Sequence, residues 1–138
     1  LQLYNYKGTV HSYNKDITEA IKQFMTAVRI AKEVNMKTEV VNEYNYALLM
    51  ALKKDRLTYE PILNEAFEYG YSFSDEDLKI INLSFIASTY LDKTYSLDSS
   101  KRDEISKRMS DLYGEDWQLS TKELAAKLDA EYSLRNPK

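Results

Sequence analysis

The stretch DITEAIKQFMTAVRIAKEV, residues 16–34, decides the fold. Ile17, Ala20, Ile21, Phe24, Ala27, Val28 and Ala31 recur at steps of three and four, the spacing that lines one face of an α-helix with apolar groups. Asp16 followed by Glu19 reads as a capping box that satisfies the first free backbone N–H groups. An apolar face this wide has to be buried against another helix. Upstream, Leu3, Tyr6 and Val10 sit about a helical turn apart, so residues 2–14 are expected as a first helix. The Asn14-Lys15 link is short, which makes the two helices antiparallel neighbours.

Downstream the same alternation of helix and short link continues. Thr38 starts a helix to about Lys54, with Val40, Val41, Tyr44, Ala47, Leu48 and Ala51 on one side. Thr58 opens the next, with Pro61 placed in its first turn, Ile62, Leu63, Ala66 and Phe67 as its stripe, and Gly70 as the residue that ends it. Ser74 caps a fifth helix whose Asp75, Glu76 and Asp77 stand at the positive end of its dipole. Ile80, Ile81, Ser84, Ala87, Ser88 and Leu91 are read as carrying that helix inward. A sixth, Ser99 to Tyr113, buries Ile105, Met109 and Leu112 and stops at Gly114. Ser120 with Glu123 reads as a second capping box, and Leu119 with Leu124 as a hydrophobic staple, giving a seventh helix from Thr121 to about Tyr132.

Composition agrees and excludes several functions. Three glycines and two prolines in 138 residues suit long helices better than strands and hairpins. With 43% apolar and 30% charged residues, the chain can fill one core and cover it. The net charge of −3, with acids and bases interspersed, offers no basic stripe for a phosphate backbone, so nucleic acid is not an expected partner. No apolar run approaches membrane-spanning length, so no membrane is expected either. The absence of cysteine rules out disulfides and thiolate metal sites and fits a cytoplasmic protein. The Leu-Gln-Leu start has no signal-peptide layout, and the chain is read as a piece of a longer protein.

The opening hairpin resembles the tetratricopeptide repeat. Tyr4 stands where that family has an early aromatic, and Gly8 where the paired helices touch. Ala20, Phe24 and Ala27 match the small, aromatic and small positions of its second helix. Small residues there let two helices approach closely. A shift of about 39 residues lands on Ala47, Leu63 and Ala66, and a further shift of about 40 on Ala87, with Tyr90 at the place of His11. This exceeds the family's period of about 34 residues, and Lys32 stands near the place of its terminal proline. Repeats this long are similar to those in the regulatory halves of peptide-responsive bacterial transcription regulators.

The resemblance implies an all-α, TPR-like α-solenoid in a single domain, residues 1–138. It would hold about three antiparallel hairpins, near 1–36, 37–73 and 74–113, and a C-terminal capping helix near 120–133. It also implies a concave wall that binds a protein or short peptide. On that wall it places Asn5, Thr9, Ser12 and Tyr13 in the first repeat, Tyr44 and Leu48 in the second, and Ser84, Ser88 and Leu91 in the third. Asparagine and serine would pair with peptide backbone, and tyrosine and leucine would offer shallow apolar contact. The alternative is an interaction module whose apolar faces join further repeats or a second copy in a homo-oligomer.

Nothing in the sequence points to catalysis, a cofactor or a metal. His11, the single histidine, reads as a packed structural imidazole. Asp75, Glu76 and Asp77 match no calcium loop. The pairs Glu65/Glu68 and Glu115/Asp116 fall on expected solvated surfaces, where nothing would separate their pKa values for acid–base work. No nucleophile elbow, phosphate-binding glycine loop or metalloprotease motif occurs. A helix-turn-helix beginning at Ser120 lacks a basic recognition helix, and a capping helix fits better. Twelve tyrosines are the compositional oddity, divided between core and contact surface.

Overall fold

The computed structural model describes residues 16–135, with the backbone alone for residue 121 and residues 131–135. Among these residues all regular structure is helical, in seven helices: α1 (Ile17–Glu33), α2 (Lys37–Leu52), α3 (Arg56–Tyr71), α4 (Asp75–Ile80), α5 (Ser84–Lys93), α6 (Ser99–Tyr113) and α7 (Trp117–Arg135). The expected helix over residues 2–14, with Tyr4, Gly8 and His11, lies outside the described residues.

Helix α1 forms on the stripe that the sequence shows. Asp16 Oδ1 accepts the Glu19 N–H at 3.2 Å, and Ala20, Ile21, Phe24, Ala27, Val28 and Ala31 are buried. Its end explains why no proline is needed. Asn35 takes the left-handed conformation at φ 57°, Met36 N–H donates to Ala31 O at 2.9 Å and Asn35 N–H to Lys32 O at 3.1 Å. These are the two bonds of a Schellman turn, with asparagine in glycine's usual place. The turn sends α2 back along α1.

Helix α2 is the centre of the described fold. It packs on α1 on one side and α3 on the other, and from Val40 to Ala51 only Asn42 is exposed. A helix covered all round is what this arrangement requires. The expected one-sided stripe is therefore a two-sided one, with Tyr46, Leu49 and Met50 added to the core.

Helix α3 starts earlier than Thr58. Asp55 is its cap, with Oδ1 accepting the Thr58 N–H at 2.9 Å and the Thr58 hydroxyl at 2.7 Å. Pro61 consequently sits in the second turn, inside the helix, and its missing N–H leaves the carbonyl of the 89% exposed Leu57 to solvent. Gly70 is not the residue after the helix. It lies within α3, buried, with a right-handed backbone, and an added Cβ would overlap Leu83 Cδ1.

The expected fifth helix is two helices. Leu78, Ile81, Leu83 and Phe85 are all buried, while Ile80 is 81% exposed. Ile81, Leu83 and Phe85 alternate, and a continuous helix cannot turn such a set to one face, whereas an extended step can. The chain breaks at 81–83, and Asn82 Oδ1 restarts it by accepting the Ser84 N–H at 2.8 Å and hydroxyl at 2.6 Å. Tyr113 of α6 seals the break. Its hydroxyl accepts the Leu83 N–H at 3.1 Å and shares its proton between Leu78 O at 2.6 Å and Ile81 O at 2.9 Å. Tyr113→Phe should strand these half-buried backbone groups and lower stability by about 1–2 kcal/mol in urea unfolding. An unchanged midpoint would remove the hydroxyl from its structural role.

Helix α6 spans the expected residues, capped by Asp98 and stopped by Gly114 at φ 94°, with Ile105 and Met109 buried and Leu112, expected in the core, only half-buried. Helix α7 does not span its expected residues. It begins at Trp117, which is 3% exposed, and Ser120 N–H already bonds Asp116 O at 3.1 Å within the helix. The Ser120/Glu123 box and the Leu119/Leu124 staple are thus not used, and Leu119 is 58% exposed. Burial of the indole sets the start one turn earlier. Helix α5 lies against α3, α6 and α7, and α4 against α6.

Candidate functional site

The residues expected on a peptide-binding wall separate into three groups. Asn5, Thr9, Ser12 and Tyr13 lie outside the described residues. Tyr44, Leu48 and Ser84 are core residues, with exposures of 0%, 0% and 1%. A place on an open wall would leave Tyr44 partly solvated, and the two-sided packing of α2 overturns that. Its hydroxyl donates to Glu65 Oε2 at 2.7 Å, and the Lys32 ammonium stands 5.1 Å from its ring centroid. Burial, with the Glu65 carboxylate beside it, pushes the Tyr44 phenol far above the usual tyrosine range, so it stays a neutral donor. Ser84 is committed to Asn82.

Ser88 and Leu91 do come together, in an open cleft of about 800 Å³. Helix α5 forms one wall with Ser88, Leu91 and Asp92; α6 gives Arg102 and Ser106; the far wall is Glu115 and Asp116 of the turn with Gln118, Leu119 and Lys122 of α7. Leu52, at the end of α2, also lines it. The cleft thus pairs leucines, of which Leu91 is only 8% exposed, with hydroxyl, amide and charged groups of both signs.

Arg102 fixes the shape of this cleft. Its guanidinium donates to Leu91 O at 2.6 Å, to Leu97 O at 3.2 Å and to Thr94 O. It therefore holds the carbonyl end of α5 and the following loop, where a cation also meets the negative end of the helix dipole. Arg108, further along α6, does the same for α3, donating to Tyr71 O at 2.7 Å, Phe73 O at 2.6 Å and Asp75 Oδ1 at 3.0 Å. No sequence pattern marks either arginine for this role. Gln118, Leu119 and Lys122 escape a sequence reading that starts α7 at Thr121.

Three of the acidic side chains noted in the sequence have structural partners. Asp75 is held by Arg108 and Asp77 by Lys37 at 3.2 Å, and Glu65 accepts the hydrogen bond from the Tyr44 hydroxyl. Among the described residues no group of three or more His, Asp or Glu side chains is placed to hold a metal ion, and no helix is long and apolar enough to cross a membrane. Comparison with protein-family models, with curated proteins and with solved structures finds no match to this chain.

Proposed function

We propose that this protein is a non-catalytic scaffold of the tetratricopeptide type that binds a protein or short peptide in the cleft between α5 and α7. The best-fitting setting is the cytoplasmic, peptide-sensing half of a bacterial transcription regulator, with DNA contacts made by another part of that protein. The observation that carries the reading is the cleft itself, in which Ser88 and Leu91, two positions singled out by the repeat register, face Gln118, Leu119 and Lys122. Lys122 makes no hydrogen bond or ion pair with another described residue, so its charge is available to a ligand.

A second reading is self-association, in which the exposed Leu57, Ile80 or Leu119 would meet a second copy. One experiment separates the two. Leu119→Ala and Lys122→Ala change exposed side chains and should leave the melting temperature nearly unchanged. Against a panel of short peptides each should weaken binding by about 1–2 kcal/mol, roughly five- to thirty-fold. If peptide titrations are untouched while sedimentation shows an oligomer dissociating, the interaction module is the correct reading.

A further inference from the structure

A second cleft, of about 510 Å³, lies on the other flank of α5, against α3. Tyr59, Leu63, Asn64 and Glu68 of α3 face Tyr90 and Tyr95 at the end of α5 and the loop beyond it. Tyr90 is fixed in place, stacked flat on Phe67 with centroids 3.8 Å apart and planes 2° from parallel. Tyr95 is 81% exposed, yet its loop is tied down on both sides by the bonds from Arg102 to Thr94 O and Leu97 O. An exposed aromatic ring on an anchored loop offers contact area at little entropic cost.

Charge decides what such a cleft takes. Arg56 at its mouth is matched by Glu60 at 2.6 Å, and Lys93 by Asp92 at 3.5 Å. Glu68 has neither a hydrogen bond nor an ion pair with another described residue. One unmatched carboxylate beside three tyrosine rings favours a cation, because ring faces carry negative charge density. With Arg56 and Lys93 already held by Glu60 and Asp92, an anion would meet the Glu68 carboxylate and the ring faces, and a neutral group would gain nothing from Glu68. We propose that this cleft receives a basic side chain, lysine or arginine, of a bound peptide. The inference rests on the peptide-scaffold reading, and Lys93 borders both clefts, so one extended peptide passing the end of α5 reaches both.

The test uses the full chain, isotope-labelled for NMR, with Nα-acetyl-lysine methylamide as probe and Nα-acetyl-norleucine methylamide as its uncharged match. The lysine probe should shift the amides of residues 59–68 and 90–96 and bind at least about five-fold more tightly than norleucine, as a single cation–ring and carboxylate contact implies. Glu68→Gln and Tyr95→Ala should each weaken it about five-fold, and both residues are exposed enough for the fold to be kept. Equal binding of the two probes, or no loss in Glu68→Gln, overturns the proposal. If the lysine probe binds here while no peptide enters the α5–α7 cleft, the cation site stands and the scaffold reading falls. If peptides bind there while the lysine probe shifts nothing, the cation site alone is lost.

Discussion

Gly70→Val is expected to destabilise the protein by about 3 kcal/mol, seen as a lower urea midpoint at unchanged slope. Gly70 is buried in the last turn of α3, and even a methyl group there overlaps Leu83 Cδ1. Leu83 has little room to yield. It is fully buried, and its backbone N–H is held by the Tyr113 hydroxyl. Alanine makes an informative control, because removing a glycine from a helix favours folding by about 1 kcal/mol and opposes the overlap. Gly70→Ala should therefore fall between wild type and valine. A valine variant that unfolds at the wild-type midpoint would mean that α3 and the α4–α5 break do not meet at this glycine.

The elements legible in the sequence are those whose local and tertiary demands agree. The α1 stripe, the caps at Asp16 and Ser74 and the Gly114 stop all depend on near neighbours in the chain, and the structure uses each of them. Tyr44 is misplaced by the sequence because periodicity reveals one apolar face and is silent on what covers the other. The break at 81–83 is hidden because Ile80 and Ile81 satisfy a helical pattern as well as an extended one, and only the alternation of Ile81, Leu83 and Phe85 separates them. Gly70 reads by its type as a helix stop, when its missing side chain serves a contact with Leu83, far along the chain and beyond the next helix. Of the residues lining the cleft, Ser88 and Leu91 are positions that the expected repeat register names, whereas Gln118, Leu119 and Lys122 depend on where Trp117 starts α7.

Arg102→Met should cost about 2–3 kcal/mol in stability and also weaken ligands in both clefts. Methionine keeps the aliphatic stem and its packing, so the change isolates the guanidinium. Without it the carbonyls of Leu91, Thr94 and Leu97 lose their donor, and hydrogen bonds to a charged group are worth about 1.5–3 kcal/mol each, summing to less than their total because one side chain supplies all three. The functional part follows from position. Arg102 itself lines the first cleft beside Leu91, and the loop bearing Tyr95 belongs to the other, so loss of the guanidinium should disturb both. Arg102→Lys separates charge from geometry: an ammonium restores the interaction with the helix dipole but cannot span three carbonyls from one planar fork. It should recover part of the stability and little of the binding. The readout is peptide affinity and lysine-probe affinity, both measured well below the melting temperature of each variant, so that unfolding does not imitate the loss. If the Arg102→Met variant is merely less stable and binds both ligands as the wild type does, this arginine is confined to holding the fold together.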